Sequence, residues 1–163
     1  VVGMGRIGRL VAKWWASVGA QVHAYDPMTN FTEVASAGLE QVLYESDVVS
    51  LHVPLIEETR HMISAERIAR MRDRVVIVNV SRGGLIDESA LAAALVSGKI
   101  AGAGLDTFAQ EPLAADHPLR QAPNAILTPH VAWRSNTSLD ALQEQAVERA
   151  RRALTGEPLP NVL

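Results

Sequence analysis

Three glycines within six residues, Gly3-Met4-Gly5-Arg6-Ile7-Gly8, narrow the choice of fold more than any other feature of this chain. In a G-x-G-x-x-G the first glycine permits a tight turn out of a strand, and the second lets an anion approach the backbone. The third lets the following helix pack closely on that strand, and the helix N-terminus offers its N–H groups to the anion. The surroundings agree. Val1 and Val2 precede the turn, and Arg6 to Val18 reads as a helix, with Ile7, Leu10, Val11, Trp14 and Trp15 near helical spacing and Gly19 at its end. Asp26 follows Gly8 by 18 positions, after the short strand Gln21 to Tyr25. A carboxylate there accepts hydrogen bonds from adenosine ribose hydroxyls and repels a 2′-phosphate, which points to NAD rather than NADP. The plainer reading is that Asp26 and Pro27 make a turn.

Apolar runs and helical patterns alternate along the whole length, the signature of a parallel sheet built from strand–helix–strand units. Thr32 to Gly38 is expected as a small helix, and Asp47 to Val53 as a strand stopped by Pro54. Ser64, with Arg67 three residues on, opens a short helix that turns Ile68 and Met71 inward. Val75 to Val80 is the most apolar strand, expected to be central with both faces covered. Asp87 caps a helix through Val96, closed by Gly98. Strands follow at Ile100 to Leu105 and Ala125 to Thr128, and a last helix runs from about Asn136 to Leu154. Residues 1–163 read as one domain, an α/β doubly wound parallel sheet. The chain is expected to start inside its first strand, truncated at Val1.

Composition removes whole classes of chemistry. The 163 residues include no cysteine, so a thiol nucleophile, a disulfide or a thiolate-bound metal is excluded, and no metal site is expected. A net charge of −3 and a pI near 5.9, without a basic block, argue against nucleic acid or an anionic membrane as partner. No apolar run approaches the ~18 residues of a membrane span. A reducing, cytoplasmic location fits.

Ligands of open α/β sheets bind beyond the C-terminal ends of the strands, and three segments stand there. Arg82, in Asn79 to Asp87, directly follows the most apolar strand. A guanidinium is costly there unless it meets an anion, and its planar fork suits a carboxylate. The competing reading is an ion pair with Asp87. Asp106 ends another strand, with Glu111 in the loop beyond. His130 ends a third, stiffened by Pro129. Arginine, carboxylate and histidine on one sheet edge form the set a hydride-transfer enzyme needs: a clamp for a substrate carboxylate, a proton donor, and a charge that keeps the donor protonated.

These segments resemble the D-isomer-specific 2-hydroxyacid dehydrogenases, the family of D-3-phosphoglycerate dehydrogenase, glycerate dehydrogenase (hydroxypyruvate reductase) and glyoxylate reductase. The resemblance spans essentially the whole chain: Gly3 to Gly8, Tyr25-Asp26-Pro27, Ser50 to Leu55, Glu58 to His61, Asn79 to Asp87, Gly102 to Pro112 and Thr128 to Trp133. It implies a Rossmann-type fold and a reaction in which a 2-oxo acid, NADH and a proton give a D-2-hydroxy acid and NAD⁺. Arg82 then binds the substrate carboxylate and keto oxygen, His130 is the acid/base, and Glu111 pairs with His130. Gly3, Gly5, Arg6, Ile7, Gly8 and Asp26 hold the pyrophosphate and ribose. Val53, Pro54, Thr59, Val80, Ser81, Arg82, Asp106, His130 and Trp133 line the nicotinamide half. His23, His52, His61 and His117 have no assigned chemistry.

The sequence departs from the family pattern at Ile56, at Asp73-Arg74, which replaces a common Pro-Gly turn, and at Trp133, which leans toward hydroxypyruvate or glyoxylate as substrate. Family members carry a second, substrate-binding domain that nothing here supplies. The expectation is therefore an excised NAD-binding domain, a homodimer through that domain, nearly inactive by itself. Three other readings stand beside it: an NAD-dependent interaction protein of the corepressor type, a formate dehydrogenase, which would carry glutamine at 111, and a dinucleotide-binding fragment without activity.

Overall fold

Val2 holds the middle of the sheet in the computed structural model, which describes residues 1–159. It bridges in parallel to Tyr25 on one side and Leu51 on the other. Its N–H donates to the Ser50 carbonyl at 2.9 Å, and its own carbonyl accepts from His52 at 2.7 Å. On the Tyr25 side lie β1 (His23–Ala24) and β2 (Ala35–Ser36), paired in parallel. On the other side β3 (Val48–Leu51), β4 (Val75–Asn79), β5 (Ile100–Leu105) and β6 (Ala125–Leu127) follow in that order, all parallel. The chain runs outward from Val2 to β2, then crosses back to β3 and runs outward the other way. The direction of winding reverses at Val2, where the Gly-rich turn leaves the sheet; this is the switch point that opens a crevice in doubly wound folds.

Helices α1 (Arg6–Ser17), α2 (Leu39–Glu45), α3 (Ala65–Arg70) and α4 (Glu88–Ser97) connect the strands. Their limits follow local chemistry. The Ser64 hydroxyl accepts from Arg67 N–H at the start of α3, and the Asp87 carboxylate accepts from Ala90 N–H at 3.0 Å at the start of α4. Gly98 ends α4 in the left-handed region. The main core gathers Leu43, Leu51, Ile77, Leu85, Leu91 and Leu119, and a smaller one joins Met4 and Ala12 to Ala24.

Two expectations are corrected. Residues 32–38 form no helix. Seven residues with a single large apolar side chain, Val34, do not repay helix nucleation; Ala35–Ser36 pair with β1 instead, and the helix begins only at Leu39. Nor is β4 covered on both faces: Val75, Ile77 and Asn79 are buried, whereas Val76 and Val78 are half-buried. The buried positions join the core that also holds Leu91, Ala94 and Leu95, and the alternating positions lie on the other face of the strand.

The chain divides into two compact units, Val1–His130 and the segment from Val131 onward. The second is built on α5 (Asn136–Thr155), whose first turn is fixed by a reciprocal Ser135–Ser138 cap. Glu148 pairs with both Arg151 and Arg152 along it. Among the described residues no helix is long and apolar enough to cross a membrane, and no group of three His, Asp or Glu side chains is placed to hold a metal.

Candidate active site

The Gly-rich turn is shaped by close approach. Gly3 has φ +95°, and a Cβ there would lie 2.5 Å from the His52 carbonyl oxygen; on Gly8 it would lie 1.9 Å from the carbonyl oxygen of Gly3. Both positions therefore require glycine. A Cβ on Gly5 would meet nothing within 4 Å, so the space in front of the turn is open. No side chain caps α1 at Gly5, and its first turn carries no acid. A negatively charged diphosphate fits this cradle. Arg6 and Ile7 are exposed beside it, with Val53 against Gly3. His52 lies beneath; burial pushes it down to about 4, so the ring is neutral, and its Nε2 is 2.8 Å from the Ser50 hydroxyl.

Asp26 both makes the turn and ties it to the cradle. Its Oδ1 accepts from Met28 and Thr29 N–H at 2.8 and 3.0 Å, and its Oδ2 from Met4 N–H at 2.7 Å. Partial burial works to raise its pKa, but these donors outweigh it and hold the carboxyl below its ordinary range. It borders a cavity of about 450 Å³ shared with Arg9, Thr29, Phe31 and Glu33. The Arg9 guanidinium there is engaged by the Glu33 carboxylate and by the Asn30 carbonyl.

The sheet register brings the other candidates to one edge. Asn79 lies opposite Leu105, and Leu105 opposite Leu127, so Val80–Arg82, Asp106 and Thr128–His130 emerge side by side. Asn79, 1% exposed, organises the first of these segments: its amide donates to the Arg82 carbonyl at 2.9 Å and accepts from Ser81 N–H at 3.0 Å. The Ser81 hydroxyl reaches the Leu51 carbonyl at 2.7 Å. The Arg82 side chain is exposed; among the described residues it donates to the adjacent Ser81 carbonyl alone, and no carboxylate lies within 4.0 Å of it. The ion pair with Asp87 does not form, because Asp87 caps α4. Gly83 then nests against the Phe108–Ala109 peptide, where a Cβ would lie 1.9 Å from the Phe108 carbonyl carbon. The Thr59 hydroxyl closes its own loop through the Pro54 carbonyl at 2.7 Å.

His130 Nδ1 lies 2.9 Å from Glu111 Oε2, and Glu111 Oε1 accepts from Phe108 N–H at 3.0 Å. The bond from His130, then that from Phe108, hold the Glu111 carboxyl below its usual range, so Nδ1–H is the donor. His130 adopts φ +55°, fixed by its N–H to the Asp106 carbonyl at 2.8 Å. Asp106 is buried, and its carboxylate accepts from the Thr128 hydroxyl. A cavity of about 540 Å³ opens beside the pair, lined by Phe108, Leu113, Arg120 and Leu127 among others. Trp133 belongs to the second unit, half exposed, its carbonyl accepting from the Ser138 hydroxyl. Asn79, Gly83 and Thr128 were not singled out by sequence reasoning. A lone amide closing the most apolar strand was the available signal for Asn79.

Residues 1–132 match the family described as D-isomer specific 2-hydroxyacid dehydrogenase, NAD binding domain. The chain belongs to this family. As a 2-hydroxyacid dehydrogenase NAD-binding domain it is 41% identical over 160 residues to a glycerate dehydrogenase of Methylorubrum extorquens, covering 97% of this chain and 50% of that one. It is 43% identical over 168 residues to a glyoxylate reductase of Korarchaeum cryptofilum, covering 100% and 51%. The crystal structure of D-lactate dehydrogenase with NAD⁺ from Lactobacillus jensenii superposes with a TM-score of 0.92 at 35% identity, covering 99% of this chain and 54% of that one. The NAD-binding domain thus spans about half the length of the relatives it matches. The Rossmann-type parallel sheet is the shared fold.

Proposed function

We propose that this chain is the NAD-binding half of an oxidoreductase that reduces a 2-oxo acid to a D-2-hydroxy acid. The observation that carries the reading is the His130–Glu111 pair at the sheet edge where Arg82 also emerges without a carboxylate partner. Bound NADH supplies the hydride. Arg82 takes the substrate carboxylate and polarises the keto oxygen, a task suited to a planar fork of donors. As hydride adds to the keto carbon and its C=O becomes C–O⁻, His130 delivers its Nε2 proton to that oxygen, because Nδ1 is engaged by Glu111. Glu111 compensates the positive charge of the imidazolium beforehand. The Gly3–Gly8 cradle, with Arg6 and Ile7, holds the pyrophosphate, and Asp26 the adenosine ribose, with rejection of a 2′-phosphate. Val53, Pro54, Thr59, Val80, Ser81 and Asp106 border the nicotinamide.

Hydroxypyruvate or glyoxylate is the proposed substrate, supported by the tryptophan at position 133 and by the names of the relatives. The experiment is product analysis with the whole protein: D-glycerate or glycolate formed with NADH, and turnover lost in His130→Ala. An L-product, or unchanged turnover in that variant, overturns the reading.

We infer further that two copies associate through this domain in the cytoplasm. Leu10 and Trp14 on α1, with Val18 just past its end, form a row that is 60–69% exposed, and burial of such a row is favourable. Light scattering should give a dimer for the wild type and a monomer for Trp14→Glu; a monomeric wild type overturns this.

A further inference from the structure

The loop that carries Glu111 has a second attachment, away from the site. The Glu88 carboxylate, at the first position of α4, accepts from Ala109 N–H through Oε1 at 2.7 Å, and its Oε2 lies 3.3 Å from His117 Nε2. Only 11% of the Glu88 side chain and 21% of His117 are exposed. The same peptide, Phe108–Ala109, also packs against Gly83, and Phe108 N–H holds Glu111. Two consecutive N–H groups are thus taken by two glutamates, one on the loop itself and one on a helix. His117 is held in turn, its Nδ1 accepting from Leu119 N–H at 3.3 Å. Arg120 fixes the intervening chain by donating to the Leu113 and Ala114 carbonyls at 2.7 and 2.8 Å.

We propose that Glu88, steadied by His117, is a positioning residue for the proton-donating pair: by gripping Ala109 N–H it fixes the turn from which Glu111 reaches His130. The inference rests on the reading of Glu111–His130 as the functional pair. Its physical basis is that Ala109 and Gln110 are exposed. Among the described contacts, the Glu88 bond, a charge-assisted one, is the one that ties Ala109 N–H to a secondary-structure element.

Length of reach separates positioning from a general effect on α4. Glu88→Asp keeps the acid in the first helical turn, favourable to the helix, but is one methylene too short for Ala109. Glu88→Gln keeps the reach and loses the charge. The readout is the tautomer of the His130 ring, from its nitrogen chemical shifts in alkaline solution above the histidine range, together with exchange of the Ala109 amide proton. In the wild type and in Glu88→Gln the ring carries its proton on Nδ1. In Glu88→Asp a population with the proton on Nε2 appears, and Ala109 N–H exchanges faster by roughly tenfold, the scale of a lost bond to a charged acceptor. Glu111→Ala sets the limit of full loss. If Glu111→Ala moves the tautomer and Glu88→Asp leaves it at the wild-type position, the inference about Glu88 is wrong. If Glu111→Ala itself moves nothing, the pair is not the functional element.

Discussion

His130 Nδ1 lies 2.9 Å from Glu111 Oε2, and the opposite oxygen of that carboxylate is held by the Phe108 N–H. These bonds keep Glu111 ionised to a more acid pH than an ordinary glutamate. The pair therefore persists as the pH falls, until Glu111 itself takes up a proton and gives up the Nδ1–H bond. On the proposed function, Glu111→Gln, which keeps the reach but loses the charge, is expected to lower turnover of the whole protein by roughly tenfold at any pH where Glu111 is ionised, the scale of one bond to a charged acceptor. Turnover of the wild type and the variant, measured side by side from neutral to acid pH, tests this, and equal turnover counts against the pairing.

Asp26 is expected to govern affinity and choice of dinucleotide. Asp26→Ala removes a charged acceptor, and NAD should bind about tenfold or more weakly by calorimetry. NADP, relieved of repulsion, should lose less. The variant also leaves Met4, Met28 and Thr29 N–H without their acceptor, so circular dichroism must accompany the titration. Equal NAD affinity in both proteins would sink the ribose assignment.

Gly83 joins the Arg82 segment to the Glu111 loop without leaving room for a methyl group. Gly83→Ala drives a Cβ into the Phe108–Ala109 backbone, and backbone cannot step aside as a side chain does. A loss of about 3 kcal/mol in stability is expected, measured by urea unfolding. Gly5→Ala, whose Cβ meets nothing, should unfold near the wild-type midpoint yet bind NAD poorly.

Arg74, where the family resemblance leads one to expect the glycine of a Pro-Gly turn, has a backbone that glycine would suit. Its φ is +65°, and its N–H donates to the Lys99 carbonyl at 2.8 Å. The neighbouring Asp73 pairs with Lys99 at 2.7 Å, which steadies the turn. Arg74→Gly relieves about 1 kcal/mol of left-handed strain and returns part of it as added freedom of the unfolded chain. A rise of about 1–2 °C in melting temperature is the expected result; a fall would show that the side chain contributes more than its backbone costs.

The elements that local chemistry dictates were legible in the sequence. The turn, α1, α4 between Asp87 and Gly98, and the succession of parallel strands follow from glycine, capping and apolar runs. The segment 32–38 was not, because alternation over seven residues is weak against pairing with β1. The competing assignment of Arg82 to Asp87 failed for a related reason: an aspartate one residue before a helix is spent on its N-terminus. Contacts such as Gly83 with Phe108, or Asn79 with Arg82, depend on which loops the sheet sets side by side, and no local pattern announces them.

The left-handed backbone of His130 has a consequence for how this domain tolerates change. A histidine at φ +55° stores about 1–2 kcal/mol, retained because the neighbouring Asp106 carbonyl fixes the peptide. Stability selection alone would therefore discard this histidine in favour of asparagine or glycine. His130→Asn or His130→Gly should recover part of that energy, so the backbone by itself does not favour a histidine at this position.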